Sequence, residues 1–121
     1  MSEIKQIDPQ NWTKFLREFS ARNNNRRARF QIFKGSQAQE EGQEAHLEEV
    51  SLKDEAGAKT VIVTRIDRTN GDGEKIHDTI SDVLGVAVQY DTDGSEEALE
   101  ITDKENELIM LRFESRVDGV S

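Results

Sequence analysis

The run Asp91-Thr92-Asp93-Gly94-Ser95-Glu96-Glu97 is the stretch whose residue types best suit a chemical site. Two aspartates two apart, a glycine, then two glutamates put four carboxylates on one short segment. Calcium takes about six to eight oxygen ligands, often from such loops. Asp91, Asp93, Glu96 and Glu97 are therefore the candidate metal ligands and calcium the candidate ion. The run lacks the flanking helices, the full loop length and the in-register terminal glutamate of an EF-hand. A plain hairpin turn, in which Asp and Gly meet backbone needs, is the commoner explanation of such a sequence. Asp67, Asp72, Glu74 and Asp78 form a second acidic cluster, read as a solvated loop.

His46 and His77 are the only histidines, and either could act as a general base or metal ligand beside Asp78 or Glu48. They fall on separate expected strands, where a lone histidine is more often a surface or hydrogen-bonded structural residue. Arg22, Arg26, Arg27 and Arg29 form the one basic patch, suited to an anion or to nucleic acid. The competing explanation is pairing with acidic side chains of a neighbouring strand. The chain has no cysteine, which excludes thiolate nucleophiles, disulfides and cysteine metal sites. Residues 70–73 have two glycines but not the flanks of a phosphate loop, and no serine sits in a nucleophile-elbow pattern. No catalytic residue and no organic cofactor is expected.

Net charge is −9, unevenly placed. Residues 1–34 carry 8 Lys+Arg against 3 Asp+Glu, leaving 8 against 22 for the remainder. An acidic surface repels nucleic acid and anionic membrane. No apolar run is long enough to span a bilayer and none resembles a signal peptide, so cytoplasmic location is the expectation.

Elements that would position these residues are legible in the apolar spacing. Asp8 is an N-cap and Pro9 a preset first helical residue. Ile7 and Trp12 are placed as a hydrophobic staple, and Trp12, Phe15, Leu16 and Phe19 form a helical stripe. Asn23-Asn24-Asn25 ends the helix. Trp12 could anchor a partner, but its place on the stripe favours the core. Residues 26–33 read as a strand with Ala28, Phe30 and Ile32 on one face. Residues 35–44 read as a Gln/Glu-rich loop. Weaker strand character returns over 45–52, interrupted near Glu48-Glu49, and a turn follows at 54–58. Residues 59–66 and 75–80 are further strands, separated by a turn at 70–73 and followed by a bend at Ser81-Asp82. From residue 83 a three-strand meander follows. Leu84, Val86, Val88 and Tyr90 alternate, then Leu99 and Ile101, then Ile109, Leu111 and Phe113. Residues 116–121 read as a frayed tail.

One helix cannot cover both faces of that many strands. The expectation is a single domain over 1–121, core about 4–115, of α+β, mostly β class. An N-terminal helix packs on a strongly bent antiparallel sheet or small barrel of about six to seven strands.

The spacing Ile7…Trp12…Phe15-Leu16…Phe19-Ser20, the strand Glu97-Ala98-Leu99-Glu100-Ile101, the His77…Ile80 segment and the closing Leu111-Arg112-Phe113 resemble a small bacterial family, domain-of-unknown-function family 5335. The resemblance covers about residues 4–115 and departs at Arg26-Arg27 and in the acidic stretch after Gly35. It implies a small soluble bacterial protein with no assigned activity and no catalytic residues to carry over. The function expected is a non-catalytic interaction module with a protein partner, neither nucleic acid nor membrane, monomeric or weakly dimeric. The alternative is an acidic calcium-binding protein.

Overall fold

Alternation of apolar and polar side chains builds most of this chain. The computed structural model describes residues 3–34, 37–68 and 73–114. Among them are one α-helix and eight strands: β1 Glu3–Gln6, α1 Trp12–Arg22, β2 Arg27–Lys34, β3 Gln37–Glu55, β4 Ala58–Asp67, β5 Glu74–Ile80, β6 Val83–Tyr90, β7 Glu96–Asp103 and β8 Leu108–Phe113. The strands form one antiparallel sheet in the order β1-β6-β7-β8-β2-β3-β4-β5. The sheet curls without closing, so the mostly-β α+β class and the strongly bent sheet stand as read. Among the described residues no helix is long and apolar enough to cross a membrane.

The expected cap and first helical residue, Asp8 and Pro9, start a 3-10 turn, and the α-helix itself begins three residues later than read. Asp8 accepts the Gln10 N–H at 3.0 Å, Pro9–Asn11 make a single 3-10 turn, and α1 follows. Trp12 is buried and its indole N–H donates to the Ile7 carbonyl at 2.9 Å, closing the staple. Trp12, Leu16 and Phe19 fill the concave side of the sheet against Phe30, Val50, Val63, Leu99 and Phe113.

Three readings change. The expected loop at 35–44 is, from Gln37 onward, the first half of β3, paired with β2 from Lys34↔Gln37 to Ala28↔Ala45. Backbone hydrogen bonds to β2 override the low strand propensity of Gln and Glu. The second change adds β1, whose four exposed residues pair with β6. The first change lengthens an expected strand; the second raises the strand count from six or seven to eight. Thirdly, Leu84 is 62% exposed while Val83 is buried. The ladder to β7 slips between Val83 and Gly85, and that irregularity reverses which residue faces inward. The expected break near Glu48 is there, as a register shift between Leu47 and Glu49. Apart from Gly73, the expected turn at 70–73 and the tail at 116–121 lie outside the described residues.

The β3–β4 hairpin closes in two residues, Ala56 at φ 54° and Gly57 at φ 87°, between Glu55 and Ala58. A two-residue turn of this kind needs positive φ at both positions, which alanine resists. Ala56→Asn is therefore expected to raise stability by about 0.5–1 kcal/mol, read from the urea midpoint.

Glu100 stands on the outer sheet face between Ala87 and Met110. Burial pushes its carboxyl above the usual range, opposed in part by Arg112. Folding thus favours its neutral form. The associated stability is present below the ordinary carboxylate range and lost as pH rises through the raised value. Glu100→Gln is expected to be more stable than the parent chain at neutral pH. The gap should vanish at about pH 3, as compared by urea unfolding at both pH values.

Candidate functional site

The acidic run folds as the turn between β6 and β7. The Asp91 N–H donates to the Ser95 carbonyl at 2.8 Å and the Gly94 N–H to the Asp91 carbonyl at 3.0 Å. Gly94, at φ 87°, supplies the left-handed residue. Asp91 Oδ1 accepts the Thr92 N–H at 2.7 Å, and Asp93 Oδ1 accepts the Ser95 N–H at 2.9 Å and its hydroxyl at 2.6 Å. Both aspartates thus spend carboxylate oxygens on their own turn.

The two glutamates go elsewhere. Glu96 is buried and turns toward the end of α1. Its Oε1 accepts Arg22 Nε–H at 3.0 Å and Asn23 Nδ2–H at 2.9 Å, and its Oε2 accepts Arg22 Nη2–H at 2.8 Å. Its carbonyl accepts Arg26 Nη1–H at 2.8 Å. The bond to Glu96 raises the Arg22 guanidinium further above its ordinary value. Glu97 leans toward Arg112, 3.7 Å away. The four candidate ligands therefore serve three separate purposes. Among the described residues no group of three or more His, Asp or Glu side chains is arranged to hold a metal ion.

The histidines are not brought together. His77 is exposed on β5, its Nδ1 3.1 Å from Thr64 Oγ1, while His46 is half-buried on β3, with β4 between them. Asp78, the carboxylate nearest His77 in sequence, faces Arg65 at 3.3 Å. Asp67 and Glu74 of the second acidic cluster are opposite one another across β4 and β5. Of the four arginines, Arg22 and Arg27 pair with carboxylates, those of Glu96 and Glu114. Arg26 donates to Asn23 Oδ1 at 2.8 Å and lies 4.3 Å over the Phe113 ring, and Arg27 is 3.5 Å from Glu114.

What the sequence reading missed is a groove of about 820 Å³ between α1 and β3. It exceeds the hollow of about 500 Å³ beside Arg22 and Tyr90. Thr13, Arg17, Ser20 and Ala21 of α1, with Asn24 just past its end, form one wall, and residues 48–52 with Lys75 form the other. The helical positions are spaced by four, three and one, a stripe beside the apolar one. Lys75 is held by Glu48 at 3.3 Å. The end of α1 takes the place of a paired strand along the first part of this wall. Asn25 N–H donates to the Leu47 carbonyl at 2.7 Å, and Asn24 Nδ2–H to the Glu48 carbonyl at 3.1 Å. Ser20 Oγ accepts the Val50 N–H at 2.8 Å and lies 3.0 Å from the Val50 carbonyl and 2.7 Å from that of Leu16, sharing its one proton between them. A serine on the polar side of a helix was the only trace in the sequence. Its partner, 30 residues away, had none.

No protein-family model matches the chain, and no curated protein or solved structure matches it.

Proposed function

We propose that this protein is a non-catalytic interaction module and that the α1–β3 groove is its contact surface for a protein partner. The observation that carries the reading is the groove itself: a concavity lined on one side by α1 and on the other by β3, with Val50 and Leu52 among its lining residues. Grooves between packed elements are common places for partners and ligands to bind. Two of the four charged side chains that line it are held by each other. Glu48 and Lys75 pair with each other, and Ser20 is committed to the β3 backbone. Neither histidine lines it.

The test is site-specific photo-crosslinking of the full chain in cell extract. A benzophenone amino acid at Ala21 or Asn24, on the groove wall, is expected to form a discrete adduct. The same group at Gln89, on the outer face of β6, is not. Equal adducts from both faces, or none from the groove, would overturn the assignment.

A further inference from the structure

The geometry points to strand addition: an extended segment of a partner polypeptide pairs with the open backbone edge of β3 at Leu52 and Asp54, with an acidic side chain set against Arg17. This rests on the groove being the contact surface.

The open edge follows from register. β2 leaves β3 at Arg27↔His46, whereas β3 continues to Glu55 along β4. The side of β3 away from β4 is served by α1 only as far as Val50, whose N–H and C=O both face Ser20. Backbone groups alternate from side to side along a strand with period two. The register from Glu49 to Glu55 is uninterrupted. The N–H and C=O of Leu52 and Asp54 therefore point the same way as those of Val50, into the groove and beyond the reach of Ser20. An unpaired strand edge is a template for another strand, and backbone pairing selects an extended polypeptide over any other ligand.

Strands β1 and β5 have open edges too, but α1 runs alongside β3 and not alongside either of them. A segment added to β3 would pair its backbone on one side and meet a helix wall on the other. The half-buried Leu52 favours an apolar neighbour on the inward side. Charge decides the rest. Arg17 is exposed on the helix wall and makes no ion pair among the described residues, whereas Lys75 is already held by Glu48. Arg17 is thus the groove cation open to a carboxylate, which a guanidinium can bind through two parallel hydrogen bonds. Glu49 alternates with Val50 and Leu52 along β3; it also lines the groove but makes no ion pair with Arg17.

The probe is a displayed library of random peptides of about twelve residues, selected on the full chain. Enriched peptides are expected to alternate apolar residues with others and to carry Asp or Glu. A synthetic enriched peptide should slow hydrogen exchange at the Leu52 and Asp54 amides by about tenfold or more, leaving β1 and β5 unchanged. Leu52→Pro removes one edge donor without removing a β3–β4 hydrogen bond, and Arg17→Glu reverses the charge. Each should weaken binding by about tenfold or more. Thermal unfolding checks both folds, and Arg17→Glu keeps the test decisive if the proline variant does not fold. Failure to enrich any peptide, or binding with unchanged exchange at Leu52 and Asp54, overturns strand addition. So does self-association of the free chain that Leu52→Pro abolishes, since the occupant would then be a second copy. If groove crosslinks form while these measurements fail, the contact surface stands and only its mode is wrong. If both fail, both readings fall.

Discussion

Phe19→Ala should lower stability by about 3–5 kcal/mol, the largest effect of any single truncation considered for this chain. Phe19 is fully buried at the centre of the helical stripe. Its ring lies 5.8 Å from that of Phe15 and 5.7 Å from that of Phe113, centroid to centroid. It joins α1 to β8, and through β8 to the strands on either side. Removing it leaves a void that the curled sheet cannot collapse around, because β8 is paired on both sides, with β2 and β7. For a chain of 121 residues the loss corresponds to a fall in melting temperature of roughly 12–20 °C. Calorimetry and urea unfolding check it together. Phe15→Ala, at a partly exposed position, should cost less than half as much. Similar losses at the two positions would mean that the helix is not seated as described.

The second large effect is expected at Glu96, a residue first of interest as a metal ligand. Glu96→Ala removes three hydrogen bonds at the end of α1, two of them to a guanidinium. Bonds to charged groups contribute about 1.5–3 kcal/mol each, and losing one partner leaves the others without compensation. Arg22 keeps a side chain 47% exposed and can return to water. Asn23 retains its bond to the Phe19 carbonyl at 3.0 Å. The net cost is therefore about 2–3 kcal/mol, below the sum of the separate bonds. A double-mutant cycle with Arg22→Ala should show coupling of about 1–2 kcal/mol. Asp91→Asn, which alters turn bonds at the surface, should cost less than about 1 kcal/mol. A clamp and a calcium ligand give opposite signatures. If Glu96 held calcium, millimolar calcium would raise the unfolding midpoint of the parent chain and not that of Glu96→Ala.

The residues behind the expected family resemblance are mostly core residues: Trp12, Leu16, Phe19, Leu99, Ile101, Leu111 and Phe113 are all buried. That is why they speak for architecture and are silent about chemistry. Ile7, Phe15, Glu97, Glu100 and Arg112 are only partly buried, and His77 is exposed.

Wherever the governing interaction is local, residue type and spacing were enough to read the outcome. The Asp8 cap, the Pro9 start, the Trp12–Phe19 stripe and the inward faces of β2, β7 and β8 follow from periods of 3.6 and two. So do the turns at 54–58 and 91–95, because Asp and Gly there answer to their nearest backbone neighbours. Tertiary structure decided whatever depended on a partner far along the chain. The β3 residues from Gln37 became strand because β2 stood ready to bond them, against their own propensity. Leu84 and Val83 exchanged faces because the ladder to β7 slipped by one. Glu96 became a clamp because Arg22 and Asn23, more than 70 residues earlier, ended a helix beside it. The groove exists because β3 outruns β2 while α1 turns in to cover only part of the exposed edge. Side-chain periodicity records which way a residue faces. It does not record what the opposite wall will be, and in this protein both the clamp and the groove are made by opposite walls.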